Sequence, residues 1–248
     1  MSKLVVHAKI MIDGVSDTPK KDQLISIEDG KIVSIEEYHE TNEEVIHANV
    51  VTPGFFNCHV HIMEPVGFGT DKKFSLMEKA FYTQKHCEDY LHSGVTFIRV
   101  LGTANDYDMQ IRDCIDSGLI QGPHMLCAGR CICMTGGHGW QEGIEADGKD
   151  ACLKAVRTQL RSGVDLIKMM ATGGVMTKGV EPGNAQFTVD EMKVMIEEAH
   201  KAGRKTATHA QGLQGIKNAL YAGIDSIEHG CFLDDECLEL MKEHNTFL

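Results

Sequence analysis

Four times in this chain a helix-like run ends in glycine and passes straight into a short apolar segment: HSGVTFI at 92–98, RSGVDLI at 161–167, KAGRKTA at 201–207 and YAGIDSI at 221–227. Glycine just past a helix takes the left-handed conformation without a Cβ penalty. Each of these stretches is therefore expected to stop a helix and open a strand. The strand-like runs are FFNCHV, GVTFIRV, PHMLCAG, VDLIKMM, KTATHA and IDSIEHG. Helix-like segments follow them at about Leu76–Ser93, Asp106–Gly118, Lys149–Gly163, Thr188–Gly203, Gln211–Gly223 and Asp234–His244. Thr188 and Glu191 are spaced as a capping box. Strand-helix units repeating every ~25 to 40 residues imply a parallel sheet covered by helices.

Two α/β architectures answer to that pattern, an open doubly wound sheet and a (β/α)₈ TIM-type barrel. No GxGxxG follows the first strand and no Walker motif occurs, which removes support from nucleotide-type open sheets. Polar residues gather at the C-terminal ends of the strands, as on the active face of a barrel. Six units are present, and EHNTFL at 243–248 reads as the lead-in to a seventh strand. Residues 1–52 differ: KLVVHAKIMID, QLISIEDGKIVSIEE and EVIHANVVTPG are short β-rich runs, the first two with turn residues Asp13-Gly14 and Asp29-Gly30. A small antiparallel sheet is expected there. The expected organisation is a small β domain at 1–52 and an incomplete barrel at 53–248.

A length of 248 residues suits one large domain, or one domain plus a small appendage. The net charge of -12 argues against non-specific binding to nucleic acid and against anchoring to anionic lipid. No apolar run approaches the ~20 residues that span a bilayer. The N-terminus lacks a signal-peptide h-region, and nine scattered cysteines fit reduced thiols. A cytoplasmic location is expected.

His59 and His61 in FFNCHVHI lie two apart, so they leave a strand on one face. They are either solvated or core histidines, or ligands of a metal ion. Lys168 sits in VDLIKMM, where an ionised ammonium is costly. It either snorkels from an edge strand, or is held neutral and open to carbamylation by carbon dioxide. His209 ends KTATHA and His229 ends DSIEH. If the strands close around an axis, these five side chains converge at one end of it. Such a donor set suits zinc, with manganese, iron, cobalt or nickel as alternatives. Cys127, Cys131, Cys133 and His138 offer a rival Cys₃His site, but at a spacing poor for structural zinc.

With VTPGFFNCHVHI, DLIKMMATGGV, THAQG and SIEHG in this order, and TGGHG at 135–139, the chain resembles the metal-dependent amidohydrolase superfamily. It is most similar to the branch of imidazolonepropionase-like proteins and prolidase-type dipeptidases. The resemblance implies two divalent metals, held by His59 and His61, by His209 and His229, and by a bridging carboxylated Lys168. It further implies that His138 contacts the substrate near the scissile carbonyl and assists catalysis, and that Gln211 contacts substrate. The implied activity is hydrolysis of an amide-type C–N bond through a hydroxide bridged by the metals, in a dipeptide such as Xaa-Pro. A cyclic amide is the alternative substrate, and a metal-binding protein without catalysis the alternative function. The family also carries an aspartate at the end of an eighth strand, and none of Asp225, Asp234 or Asp235 matches it. The chain as given is therefore expected to be poorly active, with open sheet edges that destabilise it or are covered in a homo-oligomer. Val100 stands where relatives often carry aspartate, so Arg99 is expected to lack a partner.

Overall fold

The computed structural model describes residues 3–63 and 74–248. The chain divides into two compact units, Met1–Phe55 and Phe56–Leu248.

The first unit is a sheet of β1 (Lys3–Met11), β2 (Lys20–Glu28), β3 (Lys31–Glu37) and β4 (Val45–Val51), in the order β3-β2-β1-β4. Asp29 and Gly30 close the β2–β3 hairpin, both at positive φ (49° and 77°), as a two-residue turn requires. The sheet is mixed, which corrects the antiparallel expectation: β4 runs parallel to β1, pairing His7 with His47. Glu37 ends β3 opposite Gln23, which pairs with Ala8, whereas Val45 opens β4 opposite Val5. The link at 38–44 therefore steps back by ~10 Å and across three strand spacings, ~14 Å. An extended link of that length reaches ~23 Å, so it can pass to the far edge and restart in the direction of β1. No tight turn at the β3–β4 junction forces a hairpin.

In the second unit all six expected strands form: β5 (Phe55–Val60), β6 (Val95–Val100), β7 (His124–Cys127), β10 (Leu166–Met170), β11 (Lys205–Ala210) and β12 (Ser226–His229). Helices α1 (Leu76–His92), α2 (Tyr107–Asp116), α3 (Gly148–Ser162), α4 (Val189–Lys201), α5 (Leu213–Ala222) and α6 (Asp235–His244) follow them. Gly94, Gly163, Gly203 and Gly223 have φ of 83°, 90°, 69° and 88°, the left-handed stops that the sequence calls for. Thr188 and Glu191 form the capping box of α4, and Ser75 with Glu78 forms a second one on α1.

With β8 (Ile132–Cys133) and β9 (Ile144–Glu145), the strands lie in two sheets, β5-β6-β7 and β12-β11-β10-β8-β9. These two strands of two residues each, β8 and β9, were not expected; pairs this short carry no periodicity. β8 lies beside β10 through Met169 and Ile132, while the β7 end reaches the start of β10 through Asp165 N donating to Cys127 O at 2.8 Å. Phe247 in the EHNTFL lead-in continues the parallel order beside β12: its N donates to Asp225 O and its O accepts from Ile227 N, both at 2.9 Å. Ile98, Ile167, Met169 and Ile227 from the strands pack in one core with Met192, Met195, Ile196 and Leu220 from the helices. Met169 and Met170 are thus buried packing residues, whereas Met176 is exposed. Among the described residues no helix is long and apolar enough to cross a membrane.

Asp225 ties three elements together at the N-terminal ends of β11 and β12. It accepts from Thr206 N (2.9 Å), Thr206 Oγ1 (2.8 Å), His200 Nε2 (2.6 Å) and Lys205 Nζ (2.6 Å). Burial alone pushes this carboxyl up, but Lys205, His200 and Thr206 outweigh it and hold the pKa at about 2. A depressed carboxyl stabilises the fold above its unfolded pKa of ~4 and loses that contribution as pH falls through the folded value. Asp225→Asn is expected to cost roughly 2 kcal/mol at neutral pH and to flatten the acid limb of the stability curve. Urea unfolding at a series of pH values checks this; parallel curves for the two proteins would rule it out.

Candidate active site

Five imidazoles form a continuous run at the C-terminal ends of the strands. His59 on β5 and His61 just beyond it stand 5.4 Å apart by ring centroid. His59 lies 5.0 Å from His229 at the end of β12, and His229 lies 4.6 Å from His209 on β11. His209 in turn lies 4.4 Å from His138, in the loop after β8. His229 holds a left-handed backbone (φ 75°), uncommon for a residue with a Cβ. Lys168 on β10 is 1% exposed, and among the described residues no hydrogen bond reaches its Nζ. An edge-strand lysine snorkelling to water is therefore excluded.

The backbone and one carboxylate decide which nitrogen stays free in three of the rings, those of His59, His61 and His209. Glu228 Oε2 can only accept, so His59 Nδ1 donates to it at 2.8 Å. His61 Nδ1 donates to Gly102 O at 3.2 Å, and His209 Nε2 donates to Gly173 O at 3.0 Å. In the neutral rings this leaves lone pairs on His59 Nε2, His61 Nε2 and His209 Nδ1. Burial of the ring nitrogens among neighbouring groups, then the charge of Lys168, lowers His61 to about 4, although the residue as a whole is exposed. Burial, then His138, lowers His209 to about 3. His138 and His229 are also lowered, mainly by burial. Burial brings Lys168 down to about 8, against an opposing pull from Glu228 and Cys131. Uncharged imidazoles with one free lone pair, oriented by a hydrogen bond on the other nitrogen, are the donor chemistry a divalent metal needs. The donor set fits such an ion. Among the described residues no three His, Cys, Asp or Glu side chains are already gathered around one point at bonding distance, so binding requires side-chain adjustment.

Glu228 escaped the sequence reading. Its Oε1 accepts from Arg99 Nη2 (2.7 Å) and Ser226 Oγ (2.6 Å), while Oε2 holds His59. Arg99 therefore has a carboxylate partner, contrary to expectation, and its Nε also donates to Cys58 O at 2.6 Å. The expectation considered only the neighbour along β6, whereas the side chain reaches across the interior to β12. The available signal was a carboxylate inside the buried run DSIEHG. Burial raises the Glu228 carboxyl, but the His59 hydrogen bond, Lys168, Ser226 and Arg99 together bring it down to about 2.

His138 N donates to Gln186 Oε1 at 3.1 Å, and its Nδ1 lies 2.9 Å from Thr177 Oγ1. Gln211 follows β11 directly: its N donates to Thr172 Oγ1 at 3.1 Å, and its Oε1 is buried without a hydrogen-bond partner among the described residues. No hydrogen bond ties the Gln211 side chain to the histidine run among those residues. The rival cysteine site gains no support. Burial lifts the thiols of Cys127, Cys131 and Cys133, the Sγ atoms of Cys131 and Cys133 face the carbonyls of Gly139 and Ile144, and among the described residues the three cysteines and His138 do not gather as a ligand group.

A model described as the amidohydrolase family matches residues 50–248. Ochratoxinase of Aspergillus niger is 29% identical over 275 aligned residues, covering 96% of this chain and 56% of that protein. The chain thus spans a little over half the length of this curated relative. A solved Xaa-Pro dipeptidase with methionine bound in its active site is 32% identical, with a TM-score of 0.91 over 100% of this chain and 66% of the other. A prolidase solved with N-methylphosphonate-L-proline is 26% identical, with a TM-score of 0.89 over 99% of this chain and 65% of the other.

Proposed function

The chain belongs to the amidohydrolase family, and from that premise we propose that it is a metal-dependent hydrolase of amide-type C–N bonds acting on dipeptides, Xaa-Pro among them. The observation that carries the proposal is the run of imidazoles around a buried Lys168 whose Nζ has no hydrogen-bond acceptor among the described residues. The resemblance to a dipeptidase and a prolidase supports the substrate class. His59, His61, His209, His229 and a carboxylated Lys168 would hold two divalent ions, zinc foremost, which would supply a water of lowered pKa and polarise the carbonyl. A lowered pKa keeps more of the Lys168 amine neutral, the form that adds to carbon dioxide and releases a proton to become a carbamate anion. Glu228 keeps His59 in one tautomer, and Gly102 and Gly173 do the same for His61 and His209. His138 stands next to His209, where it can stabilise charge on the carbonyl oxygen. Gln211 Oε1, buried and without a partner among the described residues, can accept from a substrate N–H.

The test is a panel of dipeptides, proline-containing and not, assayed with zinc or manganese, after chelation, and after metal is restored. Slow cleavage that disappears with chelator and returns with metal is the expected result, since no residue here matches the eighth-strand aspartate of the family. An inert protein across the panel, with metal bound, would overturn the proposal.

A further inference from the structure

We infer that Thr177 is a positioning residue that holds the His138 ring as its Nε2–H tautomer, making the ring a hydrogen-bond donor toward substrate. The inference rests on His138 being the substrate-contacting group proposed above. Four contacts hold this histidine. Gln186 Oε1 accepts its backbone N–H at 3.1 Å. Gly174 lies flat under the ring: a Cβ built there would come within 2.4–2.5 Å of Cε1, Nδ1 and Nε2. The His209 ring lies at 4.4 Å, tilted by 45°. Thr177 Oγ1 meets Nδ1 at 2.9 Å.

The direction of that last bond follows from a count of donors. Thr177 is 5% exposed, and its Oγ1 already accepts from Gly139 N at 3.3 Å. A hydroxyl has one hydrogen to give, and burying it without an acceptor is costly. Among the described residues its only hydrogen-bonding acceptor is His138 Nδ1. The hydroxyl therefore donates, Nδ1 carries the lone pair, and the proton of the neutral ring sits on Nε2. In the other tautomer Nδ1–H would point at an oxygen whose own hydrogen has nowhere to go, and Nε2 would offer a lone pair to an electron-rich carbonyl oxygen. A donor aimed at that oxygen matters most as negative charge develops on it, so its loss should fall on kcat and not on KM.

The experiment is nitrogen-15 NMR of the full chain labelled at histidine, with the His138 signals identified by their loss in His138→Gln. The parent is expected to show an unprotonated Nδ1 and a protonated Nε2. Thr177→Val keeps the shape but removes the hydroxyl, and should shift the ring toward the Nδ1–H form. Thr177→Ser should restore the parent pattern. In turnover of a cleaved dipeptide, Thr177→Val should lower kcat by about 10- to 100-fold with KM little changed, and Thr177→Ser should recover most of it. A protonated Nδ1 in the parent, or an unchanged tautomer in Thr177→Val, would overturn the inference. If Thr177→Val does not fold, the parent spectrum alone decides. Absence of turnover in every protein would count against the proposed function, while the NMR result still stands on its own.

Discussion

Lys168→Met is expected to yield a protein that is more stable than its parent when metal-free, yet holds fewer divalent ions and loses dipeptide hydrolysis. Lys168 is buried among apolar side chains of β10, with no hydrogen bond to its Nζ among the described residues. Burial lowers its pKa from 10.5 to about 8. A lysine whose folded pKa is lowered destabilises the fold wherever the amine is protonated. Here that cost is fully present below pH ~8 and fades as pH rises toward the unfolded value. Lowering the amine from 10.5 to about 8 corresponds to about 3 kcal/mol. Methionine has a similar volume and no charge, so most of that cost should be relieved at neutral pH. Removing the candidate bridging anion also leaves two close cations without a charge between them, so at least one equivalent of metal should be lost. Urea unfolding in chelator and elemental analysis after dialysis read the two halves separately. A Lys168→Met protein with unchanged metal content would sink the carbamate proposal.

The second large effect is expected at Glu228. This carboxylate is 6% exposed and serves Arg99, Ser226 and His59 at once. Glu228→Ala leaves the Arg99 guanidinium, whose side chain is largely buried, without its counter-ion. Breaking a buried pair on one side typically costs about 3 to 5 kcal/mol, because the remaining charge has already left water. Removing both partners as Arg99→Met with Glu228→Leu should recover much of that loss. Metal affinity should not recover, since His59 would still lack the acceptor that orients its ring; a fall of ~10- to 100-fold is expected. Unfolding and metal titration of Glu228→Ala, of Arg99→Met and Glu228→Leu singly, and of these last two combined make the check. Additive stability losses would show that Arg99 and Glu228 do not act as a pair.

Much of the architecture was legible because it is written in short-range chemistry. Glycine at 94, 163, 203 and 223 stops each helix through its own backbone freedom. Thr188 caps a helix three residues away from Glu191, and the six strand runs are recognisable from their apolar content alone. The histidines at 59, 61, 209 and 229 could be singled out because each ends such a run, and Lys168 because it interrupts one.

What the tertiary structure decided lies between segments far apart in the chain. No local rule pairs Arg99 with Glu228, 129 residues away, or brings Thr177 to His138, 39 residues away. The sequence by itself left Lys168 open between an edge position and the interior; only the packing of β8 and β11 on either side of β10 closed off the edge. The parallel course of β4 likewise depended on a link whose residues specify no turn. Helix caps and strand periodicity are settled within a few residues, where the chain meets itself. The protonation and orientation of a buried polar group depend instead on whichever distant atoms burial places against it, because in a low-dielectric interior those atoms replace water.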